Sequence, residues 1–122
     1  MKTLLFTAFL FLVIKVNGQT ISSIVSNHVF VMCDEYGQPS SLYGQHIFLV
    51  FHSNKKMNML MGTDLSDAID NGATKYGTWS TSGSSVNWTW NDTGNGASAT
   101  RSGYSDNLVG SGGLIMKNLG GF

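Results

Sequence analysis

Three histidines are the side chains of this 122-residue chain best suited to general acid–base work or to metal ligation. His46 and His52 have the same strand parity but stand six residues apart. That separation is roughly 20 Å along an extended strand, too far for the two rings to share one ion. His28 could join either of them only through tertiary folding. The spacing therefore favours three unrelated histidines and predicts no metal site.

Cys33 is the only cysteine, so an intramolecular disulfide is impossible. Asp34 and Glu35 follow it directly, and adjacent carboxylates raise the pKa of a thiol and deplete the nucleophilic thiolate. The apolar, β-rich run before Cys33 favours a buried thiol, and a disulfide between two copies of the chain is the alternative. We therefore predict no nucleophile here and keep a homodimer through Cys33 as a hypothesis.

Asp92-Thr93-Gly94 matches the short motif around the catalytic carboxylate of aspartic proteases. That chemistry needs two carboxylates that share one proton, and the motif should follow an apolar strand end. Here it follows Asn91 inside a glycosylation sequence. The chain also lacks the nucleophile elbow that would mark a Ser, His and Asp set. We therefore expect a protein that is not an enzyme and uses no cofactor.

The stretch Ser84–Asp92 (SSVNWTWND) alternates bulky apolar residues with small polar ones. On a strand, Val86, Trp88 and Trp90 would leave one face and the polar residues the other. Small domains need bulky aromatic residues, so the first interpretation is core packing. The functional alternative is an aromatic pocket for a sugar ring or a small apolar ligand, with Trp79 supplying a third ring.

Two N-glycosylation sequences interleave with this row, at Asn87-Trp88-Thr89 and Asn91-Asp92-Thr93. On one strand the two amides would face the same side, about 13 Å apart at roughly 3.3 Å per residue. Glycans on Asn87 and Asn91 would require that face to be solvent, which turns the tryptophans inward. An inward direction favours a core or an enclosed pocket over a flat exposed platform.

Met57, Met59 and Met61 alternate in the same way. Three thioethers on one strand face would suit Cu(I), which is a soft ion. An adaptable apolar face in the core explains the same spacing, and this is the interpretation that we adopt.

Residues 1–18 have the pattern of a secretory signal peptide. A basic residue precedes the apolar run Leu4–Ile14, and Val16 and Gly18 occupy the small-residue positions before the cleavage site. A membrane-spanning helix needs about 20 apolar residues, so this run is too short to span. Cleavage before Gln19 predicts a secreted, extracellular protein without stable membrane insertion.

The remaining segment, residues 19–122, has the length of a single domain. It carries five Lys or Arg against seven Asp or Glu, a formal net charge of −2. Its only basic run is Lys55-Lys56, so we expect no nucleic-acid partner. Stability must come from packing, because no disulfide is available.

Short apolar runs separated by turn signals predict mostly strands. His46–His52 is apolar on both faces, and Ser53–Lys56 predicts a hairpin connection to Met57–Met61. Thr63–Gly72 is the one plausible helix, with a polar cap and an acidic first turn. Glycine turns and aromatic residues follow it. The other predicted strands are His28–Cys33, Lys75–Thr81, Ser85–Trp90, Ala97–Tyr104 and Leu114–Lys117.

Six to seven short strands with one short helical turn predict a mainly β domain, a small antiparallel β-sandwich or barrel. Gly77-Thr78-Trp79 with the following Gly83-Ser84 resembles the opening strand of avidin-like and lipocalin-like barrels. The resemblance spans fewer than ten residues and stands late in the chain, so we assign no family.

Scarce charged residues and an aromatic row together predict a secreted, non-catalytic binding protein. Its ligand would be a carbohydrate or a small apolar molecule held by Trp79, Trp88 and Trp90. The alternative is an extracellular structural or interaction protein that has no small-molecule ligand and dimerises through Cys33.

Overall fold

A computed structural model describes residues 20–122 as eight antiparallel strands closed into a barrel. The predicted signal peptide, residues 1–18, and the cleavage point before Gln19 lie outside the described residues. Within residues 20–122, no helix combines the length and the apolar character needed to cross a membrane.

Every strand pairs with the next strand in sequence, and β8 pairs with β1 to close the barrel. This order makes an up-and-down barrel, in which closure leaves no sheet edge unpaired. Among the described residues, two short α-helices accompany the barrel: α1 precedes the first strand, and α2 lies between β3 and β4; a 3-10 turn, Ser111–Gly113, connects β7 to β8. The elements are α1 Ile21–Val25, β1 His28–Met32, β2 His46–Phe51, β3 Lys56–Gly62, α2 Leu65–Asn71, β4 Ala73–Ser82, β5 Ser85–Trp90, β6 Gly96–Arg101, β7 Leu108–Val109 and β8 Ile115–Gly121.

The predicted fold class is confirmed, and of the two predicted architectures the protein adopts the barrel. The strand count is eight instead of six or seven, because Leu108–Val109 pairs with both β6 and β8. A two-residue strand carries no alternation that a sequence pattern could reveal. Helix α1 has only five residues and is likewise not predicted.

Helix α2 begins and ends at the predicted signals. The Asp64 side chain caps it by accepting a hydrogen bond from the Asp67 backbone N–H at 2.8 Å. Gly72 ends it with a φ of +80°, a conformation that favours glycine. The helix is therefore two residues shorter at its start than the predicted segment, Thr63–Gly72, because Thr63 and Asp64 lie before its first turn.

The barrel interior is built around Phe51, whose ring is completely buried. Three aromatic rings meet it edge to face: Phe30 at a centroid distance of 5.7 Å, and Trp79 and Trp88 at 5.9 Å each. Such pairs add about 0.5–1.5 kcal/mol each beyond their buried area. The rest of this core consists of aliphatic and methionine side chains: Leu49, Met57, Val86, Ala99, Leu108 and Met116, with Ile21, Ile24 and Val25 of α1.

One end of the barrel, where β1 begins and β8 ends, is filled by α1; we call it the plugged end. Thr20 caps this helix by accepting a hydrogen bond from Ser23 N–H at 3.2 Å. Its three apolar side chains join the interior core. Asn118 on β8 holds it in place, because the Nδ2 group donates to Ile24 O at 3.1 Å. The side chains of α1 therefore fill the part of the barrel interior that water would otherwise occupy at this end.

Helix α2 packs on the outer side of β3. Gly62 makes this close approach possible, since a Cβ there would meet the Ala68 backbone Cα at 2.7 Å. Ala68 is fully buried, and a second apolar cluster lies around it. The cluster comprises Val31, Cys33, Phe48, Val50, Leu60 and Ala68.

Candidate functional site

Trp79 fills the barrel interior near the plugged end and is only 3% exposed. Its indole N–H donates to the His52 backbone carbonyl at 2.9 Å. The Lys55 ammonium lies 4.0 Å from the centroid of the ring, a cation–π distance. The ring is buried, its polar edge is hydrogen-bonded and it packs edge to face with Phe51, so Trp79 is part of the core.

Val86, Trp88 and Trp90 face the barrel interior, while Asn87, between Val86 and Trp88, lies on the outward face. Trp88 is 7% exposed, and Trp90 is half-buried against the edge of the core. Gly77 lies opposite Trp90 on β4 and leaves room for it, since a Cβ there would stand 3.2 Å from Trp90 Cε3. The predicted alternation along β5 is therefore confirmed.

A cavity of about 170 Å³ opens beside Trp88 at the end of the barrel opposite α1, which we call the cavity end. Met32, the last residue of β1, and Met116 on β8 lie beside the indole. Leu114, from the β7–β8 connection, is 42% exposed and forms the rim. The other lining residues are Ala97, Ser98, Gly110 and Ser111.

The β7–β8 connection is shaped by its glycines. Gly112 and Gly113 have φ values of +73° and +80°, which side-chain-bearing residues rarely adopt. Gly110 N–H donates to the Leu114 carbonyl at 2.8 Å and closes the loop over the cavity. The β7–β8 connection thus forms one wall of the cavity.

The lining of the cavity is mostly apolar, with Ser98 and Ser111 as its hydroxyl-bearing residues. It contains no carboxylate, imidazole, thiol or amine. Outside the rim, Lys75 lies 5.7 Å from the Trp90 ring centroid and 4.0 Å from a carboxylate oxygen of Asp92. The site offers an apolar guest contact with Trp88, Met32 and Met116, and its lining contains no acid or base for proton transfer.

Sequence reasoning identified Trp88 and missed its neighbours in the cavity. Met32 and Met116 occupy inward positions on two strands that become adjacent only when the barrel closes. Strand alternation in the sequence could place each of them on one face of its own strand. It could not show that they are neighbours, because that depends on the register between β1 and β8. Trp79 and Trp88 are direct cross-strand partners, but of the three tryptophans only Trp88 lines the cavity.

The two glycosylation sequences lie on β5 and just beyond it. Asn87 is half-buried on the outward face of the strand. Asn91 is exposed and begins the β5–β6 turn, where its backbone N–H donates to Tyr76 O at 2.9 Å. Neither side chain faces the cavity.

The histidines bind separate backbone or amide groups. His28 Nδ1–H donates to Ser26 O at 2.8 Å, and His46 Nδ1–H donates to Ser40 O at 3.0 Å. His52 Nε2–H donates to Asn58 Oδ1 at 2.6 Å. Across residues 20–122 no three His, Cys, Asp or Glu side chains come close enough together to hold a metal ion.

Cys33 is 1% exposed in the cluster beneath α2. Its thiol lies 3.7 Å from the Val31 carbonyl, to which it donates. Burial away from water raises the pKa of this thiol, and this effect outweighs the opposing influence of the Lys117 backbone and charge; the Asp34 carboxylate adds the smallest, upward contribution. A disulfide to a second chain would therefore require this part of the wall to open.

Comparison of the chain with protein-family models, with curated proteins and with solved structures gave no significant match. The Gly77-Thr78-Trp79 segment lies on β4, the fourth strand of this barrel. The segment that it resembles lies on the first strand of avidin-like and lipocalin-like barrels, so the two positions do not correspond. Architecture alone does not identify a ligand, since one barrel type serves many functions.

Proposed function

We propose that this protein is a non-catalytic binding protein that holds one small apolar molecule in the cavity beside Trp88. The observation that carries the proposal is the difference between the ends of the barrel interior. Helix α1 fills one end, whereas about 170 Å³ beside Trp88 lies open at the other. The two serine hydroxyls of the lining have no acid or base beside them in the cavity to activate them, which supports binding over catalysis.

The size of the cavity supports a small guest. An eight-stranded barrel is wide enough either to be filled by side chains or to hold one small ligand. An apolar cavity of roughly 150 Å³ holds a benzene molecule, and this one is slightly larger. A single ring or a short branched chain is therefore the proposed guest.

The polarity of the cavity supports an apolar guest over a carbohydrate. A sugar ring brings several hydroxyl groups, and each buried hydroxyl without a partner costs about 1–3 kcal/mol. Ser98 and Ser111 are the only lining residues with polar side chains besides the Trp88 indole. The carbohydrate alternative is thus the weaker one for this cavity.

We further propose that the chain is secreted and carries an N-glycan on Asn91. Exposure of Asn91 in a turn supports it as the acceptor over the half-buried Asn87. Secreted material from eukaryotic cells should lose mass on treatment with an amide-cleaving glycosidase. Asn91→Gln should remove the larger part of that shift, and an undiminished shift would assign the glycan to Asn87.

Titration with toluene tests the binding proposal. We expect a saturable change in tryptophan fluorescence, because the guest would lie against the Trp88 ring, and no change with D-glucose. Ala97→Met should weaken toluene binding at least about tenfold, equivalent to about 1.4 kcal/mol, because the added side chain occupies the cavity.

Ser80→Met provides the matched control, because Ser80 is exposed on the outward face of β4. This variant should bind toluene as the parent protein does. Absence of saturable toluene binding would overturn the proposal. Equal affinity in the Ala97→Met variant would also overturn it, and saturable glucose binding abolished by Ala97→Met would replace the apolar guest with a sugar.

A further inference from the structure

Two grooves on the outer wall meet at one hydrogen-bonded pair of side chains. His52 and Asn58 line both grooves and are joined by the 2.6 Å hydrogen bond from His52 Nε2–H to Asn58 Oδ1. One groove is apolar and the other polar. Both lie on the outside of the barrel, away from the Trp88 cavity.

The apolar groove, of about 360 Å³, runs between α2 and the end of β8. Its floor contains Val50 and Leu60, which are 8% and 9% exposed and belong to the second apolar cluster, the one around Ala68. Its walls are Ile69 of α2, which is 59% exposed, and Phe122, which contacts the His52 ring at a centroid distance of 5.6 Å. Ile69 in particular gains from being covered, because over half of its surface meets water.

The polar groove, of about 530 Å³, lies over β3 and β4. Tyr76 forms an aromatic wall and is 59% exposed. Amide, hydroxyl and ammonium groups surround it: Asn54, Lys56, Thr78 and Asn91 line the same groove. Asn and Thr side chains both donate and accept hydrogen bonds, and the lining contains no carboxylate.

We propose that the two grooves together form a second binding site, for a neutral amphiphile with an aliphatic chain and a hydroxylated head group. The chain lies in the apolar groove against Leu60 and Ile69. The head group lies in the polar groove, where Tyr76 covers its apolar face. The Asn54 and Asn58 amides bind its hydroxyl groups, so that Asn91 is left to carry its glycan. Asn58 sits at the junction and keeps two amide N–H donors for the ligand.

The arrangement favours one amphiphile over two separate ligands because the grooves share residues. Each groove has the volume of an ordinary small-molecule site, about 300–1,000 Å³. Joining two fragments in one molecule makes the second contact intramolecular, so affinity exceeds that of either fragment alone. With one lysine in the linings and no acid, a neutral head matches the donors and acceptors better than an ionic one.

Calorimetric titration with n-octyl β-D-glucoside, kept below its micelle concentration, tests this inference on the unglycosylated protein, so that Asn91 is bare. We expect saturable binding at least about tenfold tighter than that of D-glucose or 1-octanol. Far-ultraviolet circular dichroism should stay unchanged through the titration, which separates binding from denaturation by the amphiphile.

Two exposed residues, one in each groove, allow variants that preserve the fold. Ile69→Glu should lower affinity at least about tenfold by placing a charge against the alkyl chain. Tyr76→Ala should lower it about tenfold by removing the wall that contacts the head group. Matched controls are Leu42→Glu and Tyr104→Ala, at residues that are 45% and 93% exposed outside both grooves.

The inference fails if octyl glucoside binds no tighter than its two fragments. It also fails if Ile69→Glu and Tyr76→Ala bind octyl glucoside as tightly as their controls do. Octanoate binding more tightly than octyl glucoside would overturn the neutral head group. Ala97→Met should leave octyl glucoside binding unchanged, so this site and the Trp88 cavity succeed or fail independently.

Discussion

At the plugged end of the barrel, α1 places Ile21, Ile24 and Val25 in the interior core, and all three are at most 7% exposed. At the cavity end no helix enters the barrel. There Met32, Met59 and Trp90 are only half-buried, although each packs against the same core.

This difference shows how a small barrel divides its interior between stability and binding. Packing density in protein cores leaves few voids, so space appears only where the chain supplies no side chain to fill it. Phe51 and its three aromatic partners consolidate the centre. The helix completes one end, and the unfilled volume is left at the other.

The largest expected effect comes from removing the ring at the centre. Phe51→Ala should lower the free energy of unfolding by about 3–5 kcal/mol, because a fully buried ring is lost and a cavity remains. Trp90→Ala at the cavity end should cost only about 1–2 kcal/mol, since its ring is already partly in water. Urea denaturation followed by circular dichroism measures both values.

Phe51→Leu keeps most of the buried volume and should fall between the parent and Phe51→Ala. If Trp90→Ala proved as costly as Phe51→Ala, the cavity end would be as well packed as the centre. The contrast between the two ends would then be lost.

The second effect concerns the attachment of α1. Asn118→Ala removes the Nδ2 donor to the Ile24 carbonyl and the Oδ1 acceptor for Gly120 N–H. We expect a loss of about 1–3 kcal/mol in unfolding free energy, because partly buried polar groups lose their partners. Faster amide hydrogen exchange in α1 should accompany it and show that the plug itself has loosened.

Asn95→Ala is the matched control at the cavity end, where Asn95 is exposed. Surface substitutions of this kind stay within about 0.5 kcal/mol. Equal losses in the Asn118 and Asn95 variants would mean that α1 does not depend on this side chain.

The smallest effect is the pH dependence at Cys33, which lies at the cavity end beneath the outer wall. Its raised thiol pKa favours the neutral form in the folded protein. The folded state therefore holds the proton more tightly than the unfolded state, and stability is lost as pH rises above about 8.5 through the folded pKa. Urea denaturation at a series of pH values should show this fall.

Cys33→Ala removes the titrating group. The difference between this variant and the parent in the slope of unfolding free energy against pH therefore gives the contribution of the thiol, separate from those of tyrosines and lysines. The native thiol should also react slowly with Ellman's reagent and rapidly in urea. Rapid reaction in the folded protein would show that the cavity end opens readily. Such opening would expose Cys33 to a second copy of the chain, as a disulfide-linked dimer requires.

Local patterns account for most of the elements. The alternation in Val86, Trp88 and Trp90 determines which way β5 faces, because successive strand side chains leave opposite faces. Asp64 and Gly72 mark the limits of α2 through capping chemistry that needs only neighbouring residues. The strand Leu108–Val109 was not predicted, because only its pairing with β6 and β8 defines it as a strand.

The three tryptophans show where local reasoning stops. Their types and spacing establish that they are large, apolar and directed inward. Which of them fills the core and which one lines a cavity depends on what stands opposite each ring. For Trp79 the opposite groups are His52 and Lys55, and for Trp88 they include Met32 and Met116.

The sequence by itself therefore determined a mainly β, antiparallel domain, the inward face of β5 and the ends of α2. Each of these follows from contacts within a few residues. Only the tertiary structure decided the closure into eight strands, the plug formed by α1, and the position of the cavity and the two outer grooves. Those features depend on the register between strands distant in sequence, which sets the residues that share a space and the volume that they leave empty.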